Sequence, residues 1–228
     1  MMLRSGEKLC GKWSPGILLK SRYEIGIFGG ACALCGFLMA LLTPLPVLAE
    51  SLEERLRVFQ TLTGDFRQQL RSAEGELLQE HSGSFSLRQP GKFRWHIQEP
   101  DEQLLLLVDG ELLHYDVELA TATLNPSGGV TATPLAILGG ETAAIQSFYQ
   151  VEEKSEGAFA LRPLDDSSPL TLIHLHFAGN TLVSMNFQDR LLQTTEIEFS
   201  SVRINPPLPK SEFAFVIPEG VDYFRNEP

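Results

Sequence analysis

Over most of the chain beyond Asp65, bulky apolar residues recur at every second position, and no other feature limits the possible folds so strongly. Phe85 and Leu87 alternate with Ser84, Ser86 and Arg88, and Phe93, Trp95 and Ile97 alternate with Arg94, His96 and Gln98. Successive side chains of a strand point to opposite faces, so a period of two predicts strands with one greasy face. Turn-forming groups punctuate the runs at Gln89-Pro90-Gly91, Glu99-Pro100-Asp101 and Asp109-Gly110. Further strands are predicted over 103–108, 112–116, 120–124, 148–153, 158–162, 171–177, 181–188, 191–202 and 212–217. About a dozen short strands at this spacing point to a sandwich or a barrel-like sheet.

Helical signals are few. Ser51 with Glu54 three residues on makes a capping box, Leu52, Leu56 and Phe59 follow at helical spacing, and Thr63-Gly64 is the expected stop. Thr133-Pro134 opens a second helix, a single greasy turn over Leu135, Ala136, Ile137 and Leu138 that Gly139-Gly140 ends. A third short helix is expected over 141–146. No repeat or interdomain linker is visible, so residues 50–228 are expected to form one domain.

Residues 1–49 read differently. Five bases precede an uncharged run from Ile25 to Ala49 that ends in Val47-Leu48-Ala49, which fits a cleaved secretory signal. The competing reading is an uncleaved anchor, because Ile25 to Leu42 approaches the length of a membrane span. Four glycines dilute that run and Pro44 and Pro46 break it, which favours cleavage. All three cysteines lie in this segment, so a processed chain would have no disulfide, no cysteine metal site and no cysteine nucleophile. It would keep 13 bases against 27 acids, a net charge of −14 that repels phosphates and anionic headgroups. Neither nucleic acid nor stable membrane insertion is expected.

Signals for catalysis are weak. His174 and His176 share one face of a strand, but a third metal ligand is missing nearby and Ile173, Leu175 and Phe177 occupy the greasier face. The acidic pairs Glu152-Glu153 and Asp165-Asp166 sit where exposed charge is ordinary. No nucleophile elbow, phosphate-binding glycine loop or zinc-protease motif occurs, so no catalytic residue, metal or cofactor is assigned and the chain is not read as an enzyme. The positive signal is an excess of large apolar residues at inward strand positions: Phe66, Phe85, Phe93, Trp95, Leu104, Leu106, Phe148, Phe159, Phe177, Phe187, Phe199, Phe213 and Phe215. By composition alone these could simply form a packed core.

The run from Gly83 through Phe85, Gln89-Pro90-Gly91, Phe93 and Trp95, then Pro100, Val108-Asp109-Gly110 and Tyr115-Asp116, resembles the LolA family of periplasmic lipoprotein carriers. Thr133 to Leu138, Asn205, and Phe213 with Phe215, Pro218, Gly220 and Val221 extend the resemblance in the same order over the rest of the chain. It implies a mainly β, single-domain, unclosed antiparallel β-barrel of about eleven strands, covered by a lid of short helices. It also implies a monomeric periplasmic chaperone that takes acylated lipoproteins from an inner-membrane ABC transporter and delivers them to an outer-membrane receptor. The acyl-chain surface would be Phe85, Phe93, Trp95, Leu104, Leu106, Leu135, Ile137 and Leu138, with Phe93 and Trp95 as the floor. The family typically places an arginine before the proline matched by Pro90, where it bonds the lid backbone. Here that residue is Gln89, the candidate latch, and Arg88 falls on the other face of its strand. Two alternatives are a lipid or lipoprotein sensor of the same fold and a secreted hydrolase built around His174 and His176.

Overall fold

The computed structural model describes residues 51–126, 137–138 and 145–226, all within the compact unit Val47–Pro228. The leader, and the residues Thr133, Pro134 and Leu135, lie outside the described residues.

Helix α1 (Leu52–Arg57) begins at Ser51, whose hydroxyl accepts from the Glu54 amide while the Glu54 carboxylate accepts from the Ser51 amide. Two otherwise orphaned amides are thereby satisfied. The chain then enters β1 (Thr61–Arg71), so the helix stops earlier than Thr63-Gly64. Two causes are visible. The Asn205 side chain accepts from the amides of Gln60 and Thr61, diverting them from a helical ladder. Gly64 leaves room for a ring of the next strand, since a Cβ there would lie 2.8 Å from Phe85 Cε1 and 2.8 Å from the Ser200 carbonyl oxygen.

The strands that follow are β2 (Leu77–Arg88), β3 (Lys92–Glu99), β4 (Gln103–Val108), β5 (Glu111–Asp116) and β6 (Thr121–Pro126). A short helix, α2 (Ile145–Phe148), leads into β7 (Tyr149–Ser155), β8 (Ala158–Pro163), β9 (Leu170–Ala178), β10 (Thr181–Asp189) and β11 (Thr194–Ile204). A 3-10 turn at Lys210–Phe213 precedes β12 (Asp222–Arg225). All twelve form one sheet in the order β12-β6-β5-β4-β3-β2-β1-β11-β10-β9-β8-β7, antiparallel except for the parallel pair β12 and β6. The two terminal strands of that order do not pair, so the mainly β sheet is open, as expected, with one strand more than expected.

Three local expectations give way. The segment 212–217 is not a strand: its apolar residues alternate, but a 3-10 turn takes up Lys210–Phe213, and Phe213 and Phe215 pack onto the cluster of Leu104, Leu106 and Leu113 instead. Phe148 ends α2 and is exposed rather than inward. Leu191 and Leu192 form the β10–β11 turn rather than opening β11.

Both faces of the sheet carry apolar clusters. The larger gathers Phe66, Phe85, Leu87, Phe93, Trp95, Leu107, Phe159, Ile173, Phe177 and Phe199 with Leu52 and Leu56 of α1, Ile137, Leu138 and Ile145. The smaller lies on the opposite face, where Leu104, Leu106, Leu113 and Ala122 pack under Phe213 and Phe215. The helix-covered face is called inner below, and the other outer.

Candidate functional site

Alternation in β2 and β3 places Phe85, Phe93 and Trp95 on the inner face, each almost wholly buried. Trp95 is the hub: Phe66 stacks on it at 3.5 Å between ring centroids, Phe93 at 5.8 Å, while Phe85 lies 6.1 Å away and Phe199 meets it edge-on at 6.4 Å. Rings in such arrangements add about 0.5–1.5 kcal/mol per pair beyond area burial. They make a continuous aromatic floor across four strands.

Leu52 and Leu56 of α1, with Phe59 beyond it, press onto this floor from above, and Ile137, Leu138 and Ile145 cover it beside them. The Gln89 side-chain amide donates to the carbonyl oxygen of Leu56 at 3.2 Å and to that of Leu138 at 3.3 Å, joining both covering segments to the β2–β3 turn. Arg55 of α1 donates to the Gly179 carbonyl at 2.7 Å and lies over the rings of Phe159 and Phe177.

The junction between α1 and β1 is held more firmly. Asn205, in the left-handed region at φ 56°, accepts from Gln60 N at 2.8 Å and Thr61 N at 3.2 Å and donates to the Val58 carbonyl at 3.0 Å. The Gln89 amide donates to the Gln60 carbonyl at 3.0 Å. Asparagine tolerates this backbone conformation better than most residues. In the sequence Asn205 stood out as part of the family resemblance, which says nothing of the partners it holds.

Phe85, Phe93, Trp95, Ile137 and Leu138 thus come together, with Gln89 at their edge; Leu135 lies outside the described residues. Leu104 and Leu106 are a correction. In the β3–β4 register Leu104 pairs with His96 and Leu106 with Arg94, so both point outward, while Leu105 and Leu107 stand opposite Trp95 and Phe93. Leu106 instead lines a groove of about 320 Å³ under Phe213 and Phe215. Phe213 and Phe215 likewise belong to the outer cluster, and Phe187 is only partly buried.

Among the titratable groups, burial pushes the Tyr149 phenol above its ordinary value, so at the start of β7 the ring stays neutral. His174 and His176 are exposed, and no group of three or more His, Cys, Asp or Glu able to hold a metal occurs among the described residues. No described helix is long and apolar enough to cross a membrane.

A carrier from Hahella chejuensis, named outer-membrane lipoprotein carrier protein, is 34% identical over 78% of this chain and 88% of its own. One of the same name from Legionella pneumophila is 33% identical over 78% and 90%. A crystal structure of a LolA superfamily protein from Nitrosomonas europaea aligns with a TM-score of 0.44 and 11% identity, covering 73% of this chain and 97% of that one. The profile of the outer membrane lipoprotein carrier protein LolA matches residues 57–216, and the chain belongs to that family.

Proposed function

We propose that this protein is a periplasmic carrier that shields the acyl chains of lipoproteins beneath the cover over Trp95, receiving them from an inner-membrane ABC transporter and delivering them to an outer-membrane receptor. The observation that carries the reading is the aromatic floor whose cover the Gln89 side chain joins to the sheet at both covering segments. Each acyl methylene exposed to water costs about 0.8 kcal/mol, so one long chain resists crossing an aqueous space by roughly 10 kcal/mol. An apolar face with a removable cover offsets most of that cost without chemistry at the carrier.

Hand-over demands that the cover compete with the cargo. Leu52, Leu56, Ile137 and Leu138 pack on the inner face, so cargo must displace them, and its apparent affinity falls by the free energy of closure. Closure is itself imperfect: Glu53 of α1 is buried, and its Oε1 has no hydrogen-bond partner among the described residues. A buried polar atom without a partner disfavours the state that buries it.

Residues 50–228 contain one tryptophan, Trp95, so its emission reports on the floor directly. Titration with a diacylated peptide should give a saturable change in that emission, and the same peptide without its acyl groups should give none. Equal responses to the two peptides would overturn the carrier reading.

A further inference from the structure

Besides the groove under Phe213 and Phe215, the outer face holds a cavity of about 350 Å³ where β1, β2 and β11 meet beneath the C-terminal crossing. Its polar lining comes from Thr63, Asp65, Ser84, Ser201, Arg203 and Glu212. A bulge opens it. Thr63 pairs with Arg203 and Asp65 with Ser200, so between those pairs Gly64 of β1 faces both Ser201 and Val202 of β11. Ser201 takes the extra length in the left-handed region, at φ 52°. The crossing closes the top: Arg88 donates to the Leu208 carbonyl, and the Ser86 hydroxyl donates to the Glu212 carboxylate at 2.7 Å.

Three polar groups of this cavity are left without partners. Thr63 is only 7% exposed, yet its Oγ1 has no hydrogen bond among the described residues. A buried hydroxyl in that condition is costly, and a polar ligand in the cavity beside it removes the cost. Asp65 and Arg203 are exposed, and among the described residues neither makes a hydrogen bond or an ion pair, with the other or with any neighbour. They stand diagonally across β1 and β11, where Cβ atoms lie about 7–8 Å apart. An unmatched acid and an unmatched base lining one cavity are complemented by a ligand that carries both opposite charges.

Charge and size narrow that ligand. Glu212 is already engaged, by the Ser86 hydroxyl and by Arg94 Nε at 4.0 Å, so one free carboxylate and one free guanidinium remain. A bare cation would meet Arg203, and an inorganic anion would meet Asp65 beside Glu212. At the ~30 Å³ that a water molecule takes up in the liquid, the cavity has room for on the order of ten non-hydrogen atoms.

We infer that this cavity binds a small zwitterion, its ammonium on Asp65 and its carboxylate or phosphate on Arg203, with the hydroxyls of Thr63, Ser84 and Ser201 bonding the atoms between. A short peptide with free ends and a phosphoethanolamine headgroup share that chemistry. The site lies on the face away from the acyl floor, so it goes beyond the carrier reading and does not depend on it.

The test follows the backbone amide resonances of Thr63, Ser84 and Ser201 in the processed chain during titration with glycylglycine and, separately, with O-phosphoethanolamine. At least one probe should give saturable shifts at millimolar concentration, and ethylamine or acetate alone should bind at least tenfold more weakly. Tighter binding of glycylglycine supports the site as one for peptide ends, and tighter binding of O-phosphoethanolamine supports it as one for a headgroup. Asp65→Asn and Arg203→Gln, both at exposed positions, should each weaken the better probe tenfold or more. Acylated-peptide binding read from Trp95 emission should be unchanged in both, as expected of variants that fold. The site is overturned if neither probe saturates, if ethylamine alone binds as tightly as the zwitterions, or if either variant keeps the affinity of the unaltered chain. Failure of the unaltered chain to bind acylated peptide bears on the carrier reading alone.

Discussion

The two faces of this sheet are both apolar, yet they are covered in different ways. On the outer face the C-terminal segment is tied down along its length. Phe213 and Phe215 pack on Leu106 and Leu113, Glu212 accepts from Ser86 at 2.7 Å, Arg88 donates to the Leu208 carbonyl, and β12 adds a main-chain ladder to β6. On the inner face the described cover is short helical segments, tied to the sheet through the side chains of Gln89 and Arg55. Greasiness alone does not make a ligand site; an apolar surface becomes one when its cover can leave at small cost.

The largest effects should come from deleting one large ring on each face. Trp95→Ala and Phe213→Ala each remove a buried aromatic, and each should destabilise the chain by about 3–5 kcal/mol in denaturant titration. Their effects on cargo should part company. Trp95→Ala should abolish most binding of a fluorescent acylated peptide, and Phe213→Ala should leave it within twofold. Equal loss of binding in both would mean that the two faces act as one core and that the contrast between their covers is misplaced.

An intermediate effect is expected at the hinge. Asn205→Ala removes three side-chain hydrogen bonds, at about 1 kcal/mol each, and puts alanine at a positive φ. Stability should fall by roughly 3 kcal/mol, with faster amide exchange at Gln60 and Thr61. Because these bonds pin the end of α1 rather than its contact with the floor, cargo binding in the unaltered chain should leave those two amides protected. Their exposure on cargo binding would show that α1 detaches whole instead of swinging about Asn205.

How much of this could be read from the chain depends on what each face meets. In β2 and β3 the inner side is apolar and the outer side polar, so alternation named Phe85, Phe93 and Trp95 correctly. In β4 both sides are covered, and Leu104 to Leu107 form an unbroken run whose period says nothing about which leucine faces inward. The same blindness applies to 212–217, where Phe213 and Phe215 alternate without a partner strand, and to β12, whose four residues are all exposed and leave no pattern. The capping box foretold the start of α1, but its end is set by Asn205, 145 residues from Gln60. A single window of sequence cannot contain that contact.

The smallest effect, and the sharpest on the comparison, should come from Gln89. Replacing it by leucine removes two neutral hydrogen bonds, about 1 kcal/mol each, so the closed cover should weaken by roughly 2 kcal/mol. Because that energy opposes cargo entry, acylated peptide should bind up to about thirtyfold more tightly to Gln89→Leu. Gln89→Arg should move the affinity the other way, since a cationic donor makes bonds about twice as strong as a neutral one. The matching change on the outer face, Arg88→Leu, breaks the tie to the Leu208 carbonyl and should leave cargo affinity unchanged. If neither substitution at position 89 moves the affinity, the inner cover is held by packing alone, and the ease of its departure must be sought in Leu52, Leu56 and Leu138 rather than in a latch.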